Sequence, residues 1–436
     1  MGHHRTLIWV PALLGCAWAA DRDPAQILSE ATAKVAARSA SLPHYTCVEN
    51  VERNFYGPTR ATLPRACSIL MAQRPDPTFD LSLRLSTTDR LRLDVALVDN
   101  GEIYSWAGAS HFRDNDSIDK LVRAGPIGTG VFAGLLDVVM LHDVQRFYVR
   151  QRQASAGGGW IEYSFRVPTA ASHYRVKIGD QWVPVAYSGT VTVDSRTNDV
   201  VRLTIDSGEL PKAAGLCQIK ESVEFGAAEI AGQPFLLPSE VRQGFLNPNG
   251  GAVENAIHLT NCREYSAESS IHFGPEESTE TTGSAAPLQA VLPEGLHFTL
   301  ELVSPIDIDR AAAGDNFQAR LVHPIHAKKP NLSIPAGAIV EGRLLRVETI
   351  HRRPLRVQLA LSPRTVQMNG ETVLLRGTRD WKTTMDRARI NQPVPAILLP
   401  LPGENPSGVF EFVGQHVVVP KGFRSEWWSA LVETGK

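Results

Sequence analysis

The stretch from Trp182 to Ser207, WVPVAYSGTVTVDSRTNDVVRLTIDS, is the part of the sequence that decides the fold class. From Thr190 to Asp194 apolar and polar residues alternate, and they alternate again from Val201 to Asp206. The segment between them, Ser195 to Asp199, consists of polar, turn-forming residues. A period of two on both sides of a short turn is typical of an antiparallel hairpin with one apolar and one wetted face. This stretch therefore predicts a β scaffold and indicates no reaction.

The same alternation recurs along the chain and extends the hairpin into a sheet. Further strands are predicted at 45–56, 90–97, 103–106, 145–151, 160–167, 218–225, 240–245 and 256–260. A helix is predicted from Pro24 to about Ser39, because Asp23 can cap it, Pro24 suits its first position and apolar residues follow at helical spacing. Shorter helical patterns cover 117–122 and 129–141. These elements predict a long antiparallel sheet with a few helices against one face.

The length of 436 residues favours two domains rather than one. Residues 274–290, GPEESTETTGSAAPLQA, lose the apolar periodicity and have the composition of a flexible linker. Short strand patterns with little helix follow at 298–302, 339–347, 355–361 and 372–376. We therefore expect a mainly β protein with a few helices: a long antiparallel sheet with packed helices over 21–273 and a small β-barrel or sandwich domain over 291–436.

Residues 1–20 have the pattern of a secretory signal peptide. A short basic region precedes the apolar run Leu7–Gly15, which is too short to span a bilayer as a permanent helix. Ala17-Trp18-Ala19 then fits a small-residue cleavage site. The sequence LLGC, which ends at Cys16, also resembles a bacterial lipobox, and this implies a lipid anchor on Cys16. The protein is therefore expected to be periplasmic or extracellular, with an outer-membrane anchor as the alternative.

Four cysteines remain after the leader: Cys47, Cys67, Cys217 and Cys262. An even number of cysteines in an oxidising compartment predicts two disulfides. Of the three possible pairings, Cys47 with Cys67 and Cys217 with Cys262 is favoured, because each pair lies within one local group of strands. A zinc site is the alternative, but no C-x-x-C spacing supports it.

Composition and motifs exclude several classes of function. The net charge of -2 provides no electrostatic attraction to nucleic acid or to an anionic membrane, so neither partner is expected apart from a lipid anchor. The sequence has no G-x-S-x-G elbow, H-E-x-x-H, phosphate loop or dinucleotide fingerprint. We therefore predict no catalytic residues, no cofactor and no metal site.

Three polar groups have a possible functional interpretation beside a structural one. Asp114, Asp116 and Asp119 could hold calcium, but the glycine and glutamate of a calcium loop are missing and a helix cap is favoured. His323 and His326 could offer two imidazoles, and a strand end is favoured for them. A third group falls along the end of the first sheet, where a solvated face is favoured: Glu264, Glu268 and His272.

The order of elements in the first part resembles the half-barrel of periplasmic lipoprotein-carrier proteins and their lipid-sensing relatives. A helix comes first, strands follow, a helical insertion comes after the Ile-Tyr-Ser-Trp strand, and a run of hairpins ends at Cys262. The resemblance spans about Asp23 to Phe273. It implies an acyl chain held between the sheet and its helices, or, as the alternative, an ordinary helix-on-sheet core. The residues that would line such a site are Phe132, Leu135, Leu136, Val139 and Met140.

Two further resemblances concern secreted and envelope proteins. The phrases LPHYTCVENVERNFY and LPSEVRQGFLNPNGG are similar to a group of secreted proteins of soil bacteria, and they imply no activity. From Leu292 to about Leu345, LPEGLHFTLELVSPIDIDRAAAGDNFQARLVHPI and LSIPAGAIVEGRL resemble the β-barrel module of the scaffold protein of conjugation and type IV secretion machines. No apolar helical pair that could cross an outer membrane follows, so an envelope-located barrel is what the resemblance implies.

Two functions remain in view at this point. The first is a non-enzymatic cell-envelope protein that binds a lipid-like ligand or a protein partner. The alternative is a secreted hydrolase acting on cell-wall or extracellular polymer, which export permits but for which no nucleophile or acid/base pair is found.

Overall fold

The computed structural model describes most of the chain at the level of individual residues. The described residues are 22–59, 66–73, 83–98, 101–109, 112, 118–122, 125–130, 132, 134–155, 158–265, 291–327, 332–368, 371–379 and 407–430. The leader with Cys16 and the predicted linker 274–290 lie outside them. None of the helices formed by these residues is both long enough and apolar enough to cross a membrane.

Helices are few among the described residues. They are α1 (Pro24–Ser41), α2 (Cys67–Gln73), α3 (Ile118–Leu121), α4 (Gly134–Asp137), a π-helix (Val138–Asp143) and two 3₁₀ turns (Thr169–Ala171 and Lys212–Ala214). In the described part of the chain, twelve strands precede the predicted linker: β1 (Tyr45–Pro58), β2 (Leu83–Val98), β3 (Gly101–Trp106), β4 (Tyr148–Ser155), β5 (Gly158–Val167), β6 (Arg175–Ile178), β7 (Gln181–Pro184), β8 (Tyr187–Asp194), β9 (Val200–Asp206), β10 (Gln218–Ile230), β11 (Gln233–Leu246) and β12 (Ala252–Glu264).

Short strands follow the predicted linker within the described residues. They are β13 (His297–Leu302), β14 (Ile306–Asp307), β15 (Asn316–Leu321), β16 (Ile325–Ala327), β17 (Leu332–Ile334), β18 (Ile339–Ile350), β19 (Arg356–Met368), β20 (Glu371–Leu374), β21 (Gly377–Thr378), β22 (Gly408–Val413), β23 (Val418–Val419) and β24 (Arg424–Ser429). The predicted fold class, mainly β with few helices, is confirmed.

The first unit is one antiparallel sheet in the order β3–β2–β1–β12–β11–β10–β9–β8–β5–β4. Its first strand, β1, pairs with its last, β12, so the order in the sheet differs from the order in the sequence. The helix α1 buries Ile27, Ala31 and Val35 in a core shared with the strands. This burial of one helical stripe is what the spacing of the apolar residues predicts.

The hairpin of the opening stretch is present as β8 and β9, but its polar face is drier than predicted. Thr190 and Thr192 are 7% and 8% exposed. Thr190 shares a hydrogen bond of 2.8 Å with the hydroxyl of Thr204 on the neighbouring strand. Thr192 lies between Glu162 and Arg202, which face it from the flanking strands. Alternation along one strand cannot show this shielding, because the covering side chains come from its neighbours.

The second unit has its own core of buried side chains, centred on Trp427 and the apolar faces of the longer strands. The main series of paired strands runs β20–β19–β18–β15–β13–β24–β21. The strands at the two ends of this series, β20 and β21, follow each other directly in the chain.

The two units are joined edge to edge through β2. Glu348 to Ile350 of β18 pair with Thr87 to Asp89 of β2. Beside this pairing, Ala313 exchanges backbone hydrogen bonds with the segment of Arg90 and Arg92. Arg343 is 6% exposed, and its guanidinium donates to the carbonyl oxygens of Ala107 (3.0 Å) and Gly314 (3.2 Å). The contact between the units therefore uses main-chain hydrogen bonds as well as side chains.

All four predicted disulfide cysteines are bonded, but the favoured pairing is wrong. The disulfides are Cys47–Cys262 and Cys67–Cys217. Cys47 and Cys262 lie at the paired ends of β1 and β12, which are adjacent in the sheet although 215 residues separate the two cysteines. Cys67, on α2, packs with Cys217 and Leu246 in a small separate cluster. The prediction failed because it took proximity in sequence for proximity in the sheet.

Candidate functional site

A cavity of about 760 Å³ lies between α1, the α4–π helical segment and the β10–β11 hairpin. Its volume is in the range of small-molecule sites. The apolar lining residues are Val35, Leu42, Pro43, Leu97, Phe132, Leu136, Val138, Leu141, Phe225, Phe235, Leu236, Leu237 and Pro238, and the polar ones are Arg38, Ser39, His44, Tyr45, Asp137 and His142. Of the polar group, Ser39, His44 and His142 are exposed. The lining is therefore mainly apolar, and half of its polar residues are exposed.

The helix α1 forms one wall and is fixed at both ends. At its start, the carboxylate of Asp23 accepts a hydrogen bond of 3.1 Å from the backbone N–H of Ala25. Such a cap contributes about 1 kcal/mol. Towards its end, Lys34 and Arg38 each lie 2.7 Å from the carboxylate of Asp199, in the turn between β8 and β9. These contacts position Val35 and Arg38 at the cavity.

The helical segment at 134–143 forms the second wall, and it differs from the continuous helix predicted over 129–141. The helix α4 begins at Gly134, and the backbone widens into a π-helix from Val138. The widening is visible in the hydrogen bond from the N–H of Val144 to the carbonyl oxygen of Val139, five residues back. A π-helix turns its side chains by a different angle per residue than an α-helix, so helical spacing does not give the faces correctly.

The five predicted lining residues consequently separate into two groups. Phe132 and Leu136 line the cavity. Leu135, Val139 and Met140 are 7%, 0% and 4% exposed and belong to the core of the first unit, outside the cavity lining.

Glu102 fixes the residues that lead into the second wall, and the sequence did not indicate this role. Its carboxylate accepts hydrogen bonds from the N–H groups of Gly130 (2.6 Å) and Phe132 (2.7 Å) and from the hydroxyl of Tyr104 (2.6 Å). The hydroxyl of Tyr45 donates to the carbonyl oxygen of Phe132 at 3.1 Å, and the two rings lie 4.6 Å apart. Phe132 is thus held at its N–H, its carbonyl and its ring.

The β10–β11 hairpin forms the third wall because it extends beyond its neighbours. The strand β9 pairs with β10 only as far as Glu224, and β12 pairs with β11 only as far as Glu240. Just past this point the register shifts, since Glu224 faces Glu240 but Phe225 faces Pro238. The extra residue, Ser239, makes a β-bulge, which bends a strand and re-aims its side chains. Phe225 and residues 235–238 therefore reach the cavity while β10 and β11 stay paired with each other.

A row of polar side chains crosses the inner face of the sheet beside the cavity segment. Asp89, Arg53, Asn255, Gln243 and Glu221 face one another in turn on five adjacent strands. Arg53 is 2% exposed and donates to both carboxylate oxygens of Asp89, at 2.8 and 2.5 Å. Asn255 and Gln243 are fully buried. These polar residues share the inner face with apolar ones, since Val51, Val241 and Ile257 lie two residues from Arg53, Gln243 and Asn255 on the same strands.

The loop 125–130 covers this row and leads to Phe132. The amide of Asn255 donates to the carbonyl oxygen of Pro126 at 3.1 Å, and the N–H of Gly128 donates to Gln243 at 3.0 Å. A Cβ atom at Gly128 would collide with the side chain of Gln243. The polar row therefore fixes one end of the loop while Glu102 fixes the other.

Two buried carboxyl groups on the inner face have strongly shifted acidities. Burial raises the pKa of Glu49 to about 8, and the nearby charge of Glu102 adds to this shift. Burial raises the pKa of Glu221 to about 7, although hydrogen bonds with Tyr174 and Gln243 oppose the shift. Neither carboxyl lines the cavity, so these shifts bear on folding stability rather than on ligand chemistry.

Of the remaining sequence candidates, four lie outside the described residues: Asp114, Asp116, Glu268 and His272. His326 accepts or donates a hydrogen bond of 2.9 Å with Ser333, in keeping with a strand position. Within the part of the chain that the structure describes, no group of three or more His, Cys, Asp or Glu side chains could hold a metal ion.

Comparisons with known proteins add little to this geometry. No family model matches the chain, and no curated protein matches it. Among solved structures, the chain is similar to a DUF1329 family protein from Desulfovibrio piger, with 10% sequence identity and a TM-score of 0.27. The similarity covers 57% of this chain and 96% of that one. A similarity of this size indicates neither a shared family nor a shared function.

Proposed function

We propose that this chain is a non-enzymatic cell-envelope protein that binds a lipid-like ligand in the cavity between α1, the helical segment and the β10–β11 hairpin. The observation that supports this proposal best is the composition of the cavity lining, which is mainly apolar, while Ser39, His44 and His142 are exposed. A ligand with an apolar chain in the cavity and a polar group near these exposed residues would match this lining, because buried polar groups need hydrogen-bond partners.

Two features support an envelope location. Both disulfides link elements of the first unit, and disulfides persist mainly in oxidising compartments outside the cytosol. The leader expected at residues 1–20 agrees with such a location.

The construction of the third wall also supports ligand binding. Past the bulge at Ser239, each strand of the β10–β11 hairpin is paired with the other strand alone. A hairpin end of this kind can move with fewer broken hydrogen bonds than a strand inside a sheet. Its movement would open a path for a bulky apolar molecule.

The decisive experiment fills the cavity with a larger side chain. Leu136→Trp adds volume at a lining residue, and we expect it to weaken the binding of a fluorescent fatty acid at least tenfold. Leu121→Trp is the matched control, since Leu121 is also partly buried in the same unit but lies outside the lining. The control should bind as the wild type does, and both variants should melt cooperatively.

A wild-type protein that shows no saturable fatty-acid binding, or equal losses in both variants, would rule out the cavity as the ligand site. Native mass spectrometry of the purified protein provides a second measurement. A co-purified species that is absent from Leu136→Trp and retained in Leu121→Trp is the expected result.

A further inference from the structure

Asp143 is a buried carboxylate whose contacts are directed at one exposed histidine. Its side chain is fully buried at the end of the π-helix. It lies 2.5 Å from Nδ1 of His173 and accepts hydrogen bonds from the N–H of His173 (2.9 Å) and the hydroxyl of Tyr187 (2.8 Å). Three donors therefore satisfy Asp143, and two of them belong to the same histidine.

This arrangement determines which nitrogen of His173 remains available. With Nδ1 bonded to the carboxylate, the lone pair of Nε2 is directed away from Asp143. The side chain of His173 is 62% exposed, so Nε2 is accessible. A carboxylate that holds the Nδ1 proton of a histidine is the usual support for a metal-binding Nε2, because it fixes the tautomer and raises the basicity of the free nitrogen.

A second imidazole lies beside the first. The rings of His142 and His173 have centroids 6.4 Å apart and are inclined by 61°. A tetrahedral ion about 2.0–2.1 Å from one nitrogen of each ring would place the two centroids about 5 Å apart. The observed separation is wider, so the exposed ring of His142 would turn towards His173, whose own ring is held by Asp143.

We propose that His142 and His173 bind a divalent transition-metal ion of the kind that prefers imidazole, such as Zn²⁺ or Cu²⁺, with Asp143 as the positioning residue for His173. Imidazole nitrogens suit these ions, whereas Ca²⁺ and Mg²⁺ prefer oxygen. Among the described residues no group of three or more His, Cys, Asp or Glu side chains is placed to hold a metal ion, so water would complete the coordination. His142 also lines the rim of the cavity, which places the ion where the polar end of a bound molecule would lie.

The test is a titration of the full chain with Zn²⁺ by isothermal calorimetry, without any lipid. Every sample carries His3→Ala and His4→Ala, so that the two neighbouring imidazoles of the N-terminus do not contribute. We expect one equivalent of Zn²⁺ to bind, and we expect His142→Ala and His173→Ala each to weaken binding at least tenfold. His142 is exposed, so its loss should leave folding intact. His173→Ala removes one donor from the buried Asp143, so its folding is checked by circular dichroism.

The matched control is His416→Ala. His416 is also exposed and lies 2.7 Å from a carboxylate oxygen of Asp309, but no ring contact with a second histidine is observed for it among the described residues. Its loss should leave Zn²⁺ binding unchanged. Asp143→Asn, if folded by circular dichroism, should weaken binding by about 10- to 100-fold, the usual effect of losing such a partner.

Zinc binding that survives the removal of both His142 and His173, or that falls equally in His416→Ala, would overturn the proposal. A wild-type protein that binds no Zn²⁺ would do so as well. Because the titration contains no fatty acid, its outcome is independent of whether the cavity binds a lipid-like molecule.

Discussion

Gly314 of the second unit lies directly against the carbonyl oxygen of Arg92 in the first. A Cβ atom at Gly314 would overlap with this oxygen and would come within 3.0 Å of the ring of Trp106. Gly314 also has a φ of +106°, a conformation that other residues rarely adopt. The junction between the units therefore depends on a residue without a side chain.

We expect Gly314→Ala to destabilise the protein by more than about 3 kcal/mol, because it combines backbone strain with a collision against main chain. Gly337→Ala is the matched control. Gly337 has a φ of +83° but nothing within 4 Å of its would-be Cβ, so only strain of about 1 kcal/mol applies. Urea unfolding monitored by tryptophan fluorescence measures the unfolding free energy of both variants. Equal losses in the two variants would show that the contact with Arg92 is unimportant.

A second prediction concerns proteolysis of the predicted linker. If a protease cuts between Gly274 and Ala290, the two fragments should stay together in gel filtration, because β2 and β18 remain paired and Arg343 spans the junction. Separation should require denaturant. Elution as two independent species under native conditions would show that the edge-to-edge contact is weak.

The clamp on Phe132 gives a third prediction. Glu102→Gln replaces a carboxylate that accepts three hydrogen bonds with an amide that has a single acceptor oxygen. We expect the cavity wall to loosen, with fatty-acid affinity reduced several-fold and stability lowered by about 1–3 kcal/mol. Fatty-acid titration measures the affinity, and thermal melting measures the stability. Unchanged affinity at lowered stability would assign Glu102 a purely structural role.

The buried acids predict how stability varies with pH. The pKa of Glu49 is about 8 in the folded protein and near 4.5 in the unfolded chain, so the folded state holds its proton more tightly. Its favourable contribution is therefore complete below about pH 4.5 and is lost as the pH rises to about 8. Glu221 acts in the same direction, up to about pH 7. Raising the pH from 5 to 8 should thus lower the contribution of these two residues to stability.

Glu49→Gln removes a large part of this dependence. As the pH rises from 5 to 8, the unfolding free energy of the wild type should fall by on the order of 2–4 kcal/mol more than that of the variant. Glu52→Gln is the control, because Glu52 lies on the other face of the same strand and its side chain is 43% exposed. Parallel pH profiles for Glu49→Gln and the wild type would contradict the assignment.

The local elements were predictable from the sequence because their signals are local. The cap at Asp23 and the apolar stripe of α1 lie within a few residues of each other, and the alternation in β8 and β9 needs no other part of the chain. Glu102 could not be recognised, because a glutamate beside a turn usually faces water, and the N–H groups it binds lie about 30 residues away.

The interior polar row was hidden for a related reason. Arg53 and Asn255 lie on the apolar faces of their strands, but each is flanked by glutamate, Glu52 and Glu254, so the local pattern does not separate an inner from an outer face there. The contact of Asn255 with the loop 125–130 is not visible in the sequence. Of the five predicted lining residues, Phe132 and Leu136 line the cavity, whereas Leu135, Val139 and Met140 lie in the core. Periodicity reveals neither which distant segment covers a residue nor where a helix departs from α geometry.

The pairing of the cysteines has a consequence for how the chain matures in an oxidising compartment. One disulfide lies within the span of the other, since Cys67–Cys217 falls between Cys47 and Cys262. In a chain that crosses a membrane from its N-terminus, Cys47 and Cys67 arrive together, long before either partner. An oxidant that joins thiols as they appear would link these two first and trap a non-native bridge. Efficient maturation then depends on thiol–disulfide exchange, so yield should depend more on a disulfide isomerase than on the supply of oxidant.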